Sequence, residues 1–151
     1  MERQNFKGNQ WSAIKIDQIY IVSLKNHSKI VETLNDFVQN QHIQSGEVTG
    51  IGAVSEATLR FFNFTTKKYI DKTFNEQMEV ANISGNVSVI ESKPVLHLHI
   101  TLGREDYTAL AGHLLEAQIH GAGEFIFYPL NTKTVKIKDA ETGINFYDFE
   151  K

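Results

Sequence analysis

The chain has 151 residues, 41% hydrophobic and 22% charged, with a formal net charge of -3 and no cysteine. That length and composition suit one globular domain able to bury its own core, and the missing thiols exclude disulfides and thiolate metal sites, leaving His, Asp and Glu as the candidate metal ligands. The acidic balance shows none of the basic stripes by which nucleic-acid binders hold phosphates, so DNA binding is disfavoured on charge alone.

Met1 to Gln10 is polar and has no apolar stretch. It reads as a flexible leader, not a signal peptide, ahead of one domain spanning residues 11–151. No apolar run is long enough to cross a bilayer, and a soluble, cytoplasmic protein is expected. Ala13 to Leu24, with Ile14, Ile16, Ile19, Tyr20, Ile21 and Val22, predicts a strand or a hairpin. Ser28 can cap a helix over 28–41, where Val31, Leu34, Phe37 and Val38 recur at helical spacing. Gly46 to Val54 places glycines in a β-prone run, the mark of a bulge or of close backbone approach. It is no phosphate loop, because no helix opening on Lys-Ser/Thr follows.

Ala57 to Phe64 alternates as a strand should, and Thr65 to Asp71 is rich in turn residues. The densest cationic cluster, Lys67, Lys68 and Lys72, falls there and reads as a solvated hairpin tip. Strands are expected over 74–83, 85–91 and 95–102, the last two joined at Lys93-Pro94. A polar loop at Arg104-Glu105-Asp106 follows. Residues 112–119 fit either a helix or a strand. Residues 124–128 predict a short strand, and 134–149 a closing hairpin turning at Glu141-Thr142-Gly143. One helix and many strands make the class α+β, a single domain with a largely antiparallel sheet.

The sharpest chemical signal is Val95-Leu96-His97-Leu98-His99-Ile100-Thr101-Leu102. On a strand, alternate residues share a face, so His97 and His99 project together while Leu96, Leu98, Ile100 and Leu102 enter the core. Two imidazoles about 7 Å apart at the backbone can close on one ion. Zinc in an open site takes three protein ligands and a water, so a third ligand is needed. His113, after Gly112, is the candidate, since a loop and a returning strand could bring it beside the pair. The competing reading is a polar pair on a solvated face, because short motifs match often by chance. His27 and His42 flank the helix and read as surface residues; His120 is a weaker ligand candidate. A helical 112–119 would align His113, Glu116 and His120, whereas a strand would admit His113 alone.

The ordered set Gly46-x-Val48-Thr49-Gly50-Ile51-Gly52-Ala53, Gly85-Asn86-Val87, Pro94-x-x-His97-x-His99 and Gly112-His113-Leu114 resembles the plant and prokaryote conserved (PPC) domain over residues 14–137. That domain stands alone in bacteria and archaea and is joined to AT-hook segments in plants. The resemblance implies a compact α+β fold, a strand over 112–119, homotrimeric assembly, and His97, His99 and His113 as the family's histidine positions. It extends distantly, in fold and His-x-His pattern, to α-acetolactate decarboxylase, a zinc enzyme, although function does not follow from fold. The Gly-Arg-Pro core of an AT-hook is absent from this sequence, which removes the basic arm that reads a minor groove.

These features frame two main functions. The first is a trimeric metal-binding module, with zinc the leading ion among zinc, nickel, iron and manganese, carrying a DNA-binding label by family only. The second is a zinc-dependent lyase or hydrolase acting on a small carboxylate, with Glu56 as acid/base and Arg104 as the anchor of the substrate carboxylate. A lone charged residue beside a loop is more often a surface residue, which weighs against both assignments. Phe61-Phe62-Asn63-Phe64 reads as core and subunit contact, Trp11 as a cover of the sheet or of a neighbouring subunit, and Phe125 with Phe127 as core.

Overall fold

A computed structural model describes residues 3–150. The chain runs β1 (Arg3–Lys7), β2 (Trp11–Ile16), β3 (Ile19–Leu24), α1 (Ile30–Asn40), β4 (Gly46–Asn63), β5 (Lys68–Phe74), β6 (Met78–Ile90), β7 (Lys93–Gly103), β8 (Ala109–Pro129), β9 (Val135–Lys138) and β10 (Asn145–Asp148). Among the described residues all the strands belong to one sheet, in which only β6 with β9 pairs parallel. The fold is thus a single, mostly antiparallel β domain with one short helix. The expected α+β label is too even-handed, because segments expected as separate strands fuse into the long β4 and β8.

Those two strands organise the molecule. β4 pairs with β8 along nearly its whole length, β6 pairs with the first half of β4, and β7 bridges β6 and β8. The strands β4, β6, β7 and β8 therefore close on one another, and Val54, Ile83, Leu98, Ile100, Leu102 and Ile119 are buried between them. Bulges let β4 and β8 bend; one lies between Gly50 and Gly52, and a Cβ on Gly52 would press on the carbonyl oxygen of Ala122. Residues 112–119, ambiguous by periodicity, are strand. β7 pairs antiparallel with Gly112 and His113 and β4 with residues from His113 to Ile119, and that ladder outweighs a helical pattern.

The helix covers the β2–β3–β8 end of the sheet. Phe37, from its buried face, meets Trp11, Tyr20 and Phe127 with ring centroids 5.1, 5.3 and 4.9 Å away. Trp11 is buried within this subunit, and its indole N–H donates to Asp36 Oδ2 at 2.6 Å. Ser28 does not cap the helix; its hydroxyl donates to the carbonyl of Lys25. The free N–H groups of Val31 and Glu32 donate instead to the carboxylate of Glu116, from β8, at 2.8 and 3.1 Å.

Of the expected leader, residues 3–7 form β1 and pair with β2, while Met1 and Glu2 lie outside the described residues. The Lys67–Lys68 tip is exposed, and Lys67 turns the chain with φ 52°. Phe61 and Phe64 are 66% and 62% exposed, so they are not core: this hairpin extends beyond the layer that would cover them. Phe125 and Phe127 are buried as expected. Among the described residues no helix is long and apolar enough to cross a membrane.

Candidate metal centre

β7 alternates as its sequence requires: Leu98, Ile100 and Leu102 are buried, and His97 and His99 turn to the opposite face. β8 returns antiparallel, with His113 directly across from His99. The ring centroids lie 5.1 Å apart for His97 and His99, 5.0 Å for His97 and His113, and 5.4 Å for His99 and His113. Each imidazole offers one nitrogen, and these atoms lie within 4.8 Å of one another. Zinc holds its nitrogens at about 2.0–2.1 Å. This group could hold a metal. His97 and His113 are half-buried and His99 is exposed, so the group is reached by solvent at His99.

Pairing registers place the neighbours. Across the sheet on the histidine face run Ser84 of β6, His99, His113, Arg60 of β4 and Asp71 of β5. Arg60 donates twice to Asp71, at 2.7 and 2.8 Å, which cancels its charge locally. Along the next row Asn86 pairs with His97, and Lys136 reaches in from β9 to donate to Asn86 Oδ1 at 2.7 Å. The Lys136 ammonium also sits 4.6 Å from the centroid of the Tyr147 ring.

Burial pushes His97 down to about 4, helped by the nearby Lys136 cation and by the other two imidazoles. Burial lowers His113 as well, followed by the neighbouring His99. A metal ligand must be an unprotonated imidazole, and this environment favours that form at neutral pH.

The other candidates lie apart. His120 is exposed, with its ring 6.4 Å from that of His27, on the far stretch of β8. His27 and His42 are exposed and sit at φ 67° and 54° on either side of the helix. Arg104 is committed to Glu76, donating at 2.6 and 3.2 Å, in a cleft of about 340 Å³ shared with Glu105 and Asp106. Glu56 is exposed opposite Gln118, four residues and so roughly 13 Å of strand from Arg60. Neither reaches the histidines as acid/base or anchor: one guanidinium is already paired, and one carboxylate is too far along its strand. Sequence reasoning missed Arg60, Asn86 and Lys136. Asn86 stood in the Gly85-Asn86-Val87 motif without a role, and for Arg60 and Lys136 the only signal was alternation, which gives a face but not the neighbouring strand.

A model of the Plants and Prokaryotes Conserved (PCC) domain matches residues 12–131. No curated protein matches the chain. Among solved structures, a Bacteroides thetaiotaomicron protein provisionally named as DNA-binding is 51% identical, covers 95% of this chain and 100% of its own, and superposes with a TM-score of 0.93. A metal-containing protein from Archaeoglobus fulgidus is 28% identical over 88% of this chain and 94% of its own, at a TM-score of 0.81. A Staphylococcus aureus protein described as similar to α-acetolactate decarboxylase shares the fold at 10% identity, covering 82% of this chain and 70% of its own, with a TM-score of 0.53. Matched over most of its length, this chain belongs to the Plants and Prokaryotes Conserved domain family.

Proposed function

We propose that the protein is a stand-alone metal-binding module that holds one divalent ion, zinc first, on His97, His99 and His113, and assembles as a homotrimer in the cytoplasm. The observation that carries this reading is the meeting of three imidazole nitrogens from two strands, with burial keeping two of the rings unprotonated. The A. fulgidus relative, called metal-containing, supports it. Three imidazole nitrogens suit zinc, which when bound would polarise a ligand oxygen or acidify a water. The test is metal analysis of protein purified without chelator. One equivalent per chain is expected, and none in His99→Ala; an empty wild-type protein would overturn the reading. Light scattering tests the trimer, and a monomer at micromolar concentration would contradict it.

A second reading, a zinc-dependent lyase or hydrolase acting on a small carboxylate, is favoured by one observation: His99 is exposed, so an ion held there would be reached from solvent. It no longer rests on Glu56 or Arg104. DNA binding is carried only by the names of relatives and opposed by the net charge of -3. A gel shift that weakens steeply between 50 and 200 mM salt would establish it.

A further inference from the structure

Two anomalies meet on the histidine face. Lys136 is 7% exposed, the one charged side chain in the buried set among the described residues. Burying an ammonium is costly unless an anion compensates it. Arg60 and Arg104 each have a carboxylate partner, but Lys136 forms no ion pair among the described residues. It has one neutral acceptor, Asn86 Oδ1, and the face of Tyr147. An ammonium has three donors, so this leaves donor capacity unspent. Ser88 is 1% exposed, and its Oγ is the one buried side-chain polar atom without a hydrogen-bond partner among the described residues.

Ser84, Asn86 and Ser88 alternate along β6 and share a face. Asn86 is the cross-strand partner of His97, and β9 lies beside β6 through Val89 and Val135, which brings Lys136 over that same face. The uncompensated cation therefore stands in the row of His97, and the orphan hydroxyl in the next row along β6, opposite Val95. Nothing about packing calls for a charge here, since a methionine would fill the space at lower desolvation cost.

We propose that Lys136, with Ser88 beside it, is the anion-binding half of a composite site whose other half is the three-histidine metal centre, and that the ligand is a small carboxylate with a second oxygen donor. The carboxylate takes the free donors of Lys136, and the second oxygen faces the metal. This rests on the metal-binding reading above. A carboxylate is favoured over a phosphate because the compensation required is one negative charge: a single ammonium, with Arg60 already neutralised by Asp71.

The experiment is calorimetric titration of glycolate, and separately of inorganic phosphate, into metal-loaded wild-type protein, Lys136→Met and Ser88→Ala, with metal content counted in each. The expected result is glycolate binding by wild type, at least tenfold weaker in Lys136→Met and about threefold weaker in Ser88→Ala, at unchanged metal content. Equal glycolate affinity in wild type and Lys136→Met overturns the proposal, as does no glycolate binding by metal-loaded wild type. Phosphate bound in a Lys136-dependent way without glycolate overturns the carboxylate assignment. Should Lys136→Met not fold, Ser88→Ala decides, and unchanged affinity there counts against the site. Wild-type protein that takes up no metal overturns the metal reading along with this one, whereas metal uptake without Lys136-dependent binding overturns this one alone.

Discussion

His99 and His113 stand directly across from each other on the β7–β8 ladder, with ring centroids 5.4 Å apart. Side chains opposed in this way on antiparallel strands are held at about 4.5–5.5 Å by the backbone alone, so the pair is preorganised before any ion arrives. His97, two residues along β7, completes the group from the same face.

An ion that binds the folded chain and not the unfolded one stabilises it by mass action. At a free metal concentration about 100 times the dissociation constant the gain is about 2.7 kcal/mol. Thermal unfolding with zinc and with a chelator should differ accordingly in wild type. In His99→Ala the two curves should coincide, and because His99 is exposed the chelated mutant should unfold near the chelated wild type.

Stability of the chelated protein should fall with acid. His97 lies near 4 when folded, against about 6.5 in an unfolded chain. Between those values the unfolded state binds a proton that the folded state refuses, so stability is full above about pH 6.5, declines as pH falls, and is spent below about 4. Partial solvent access reduces the ideal value to on the order of 2 kcal/mol for this group. Urea unfolding from pH 7.5 to 4 checks it; in His97→Gln the loss over that window should shrink by a comparable amount.

Glu116 caps a helix that lies far away in the sequence. Its carboxylate accepts from Val31 and Glu32 at the start of α1, and the N-cap residue Lys29 supplies no side-chain cap. Glu116→Ala would strand those N–H groups and should cost about 1–2 kcal/mol, as loss of a cap does. Ser28→Ala should leave those two donors satisfied, since Ser28 bonds to Lys25 instead. Chemical denaturation of the two variants side by side separates them.

Gly85 lets β6 and β7 lie tightly together next to the histidines. An added Cβ would collide with the carbonyl oxygen of His97, which is backbone and cannot swing away. Gly85→Ala should destabilise the fold by about 1–3 kcal/mol, the usual cost of overpacking. It should also weaken metal uptake by displacing the strand that carries His97 and His99. Denaturation and metal analysis read the two effects separately.

The sequence alone determined the elements whose signals are local. The helix over 30–40, the extended character of 13–24, the closing hairpin and the shared face of His97 and His99 all follow from local signals, since one strand's alternation fixes which way its side chains point. The ordered glycine and histidine motifs also pointed to the family, and the match over 12–131 bears that out. Alternation does not say which strand lies alongside. The strand over 112–119, open by periodicity, was implied by the family resemblance; the pairing of His99 with His113, the burial of Lys136 over Asn86 and the reach of Glu116 to α1 were decided only when β4, β6, β7 and β8 closed on one another. Those contacts join residues distant in the chain, and their hydrogen bonds and burial exist only in the assembled sheet.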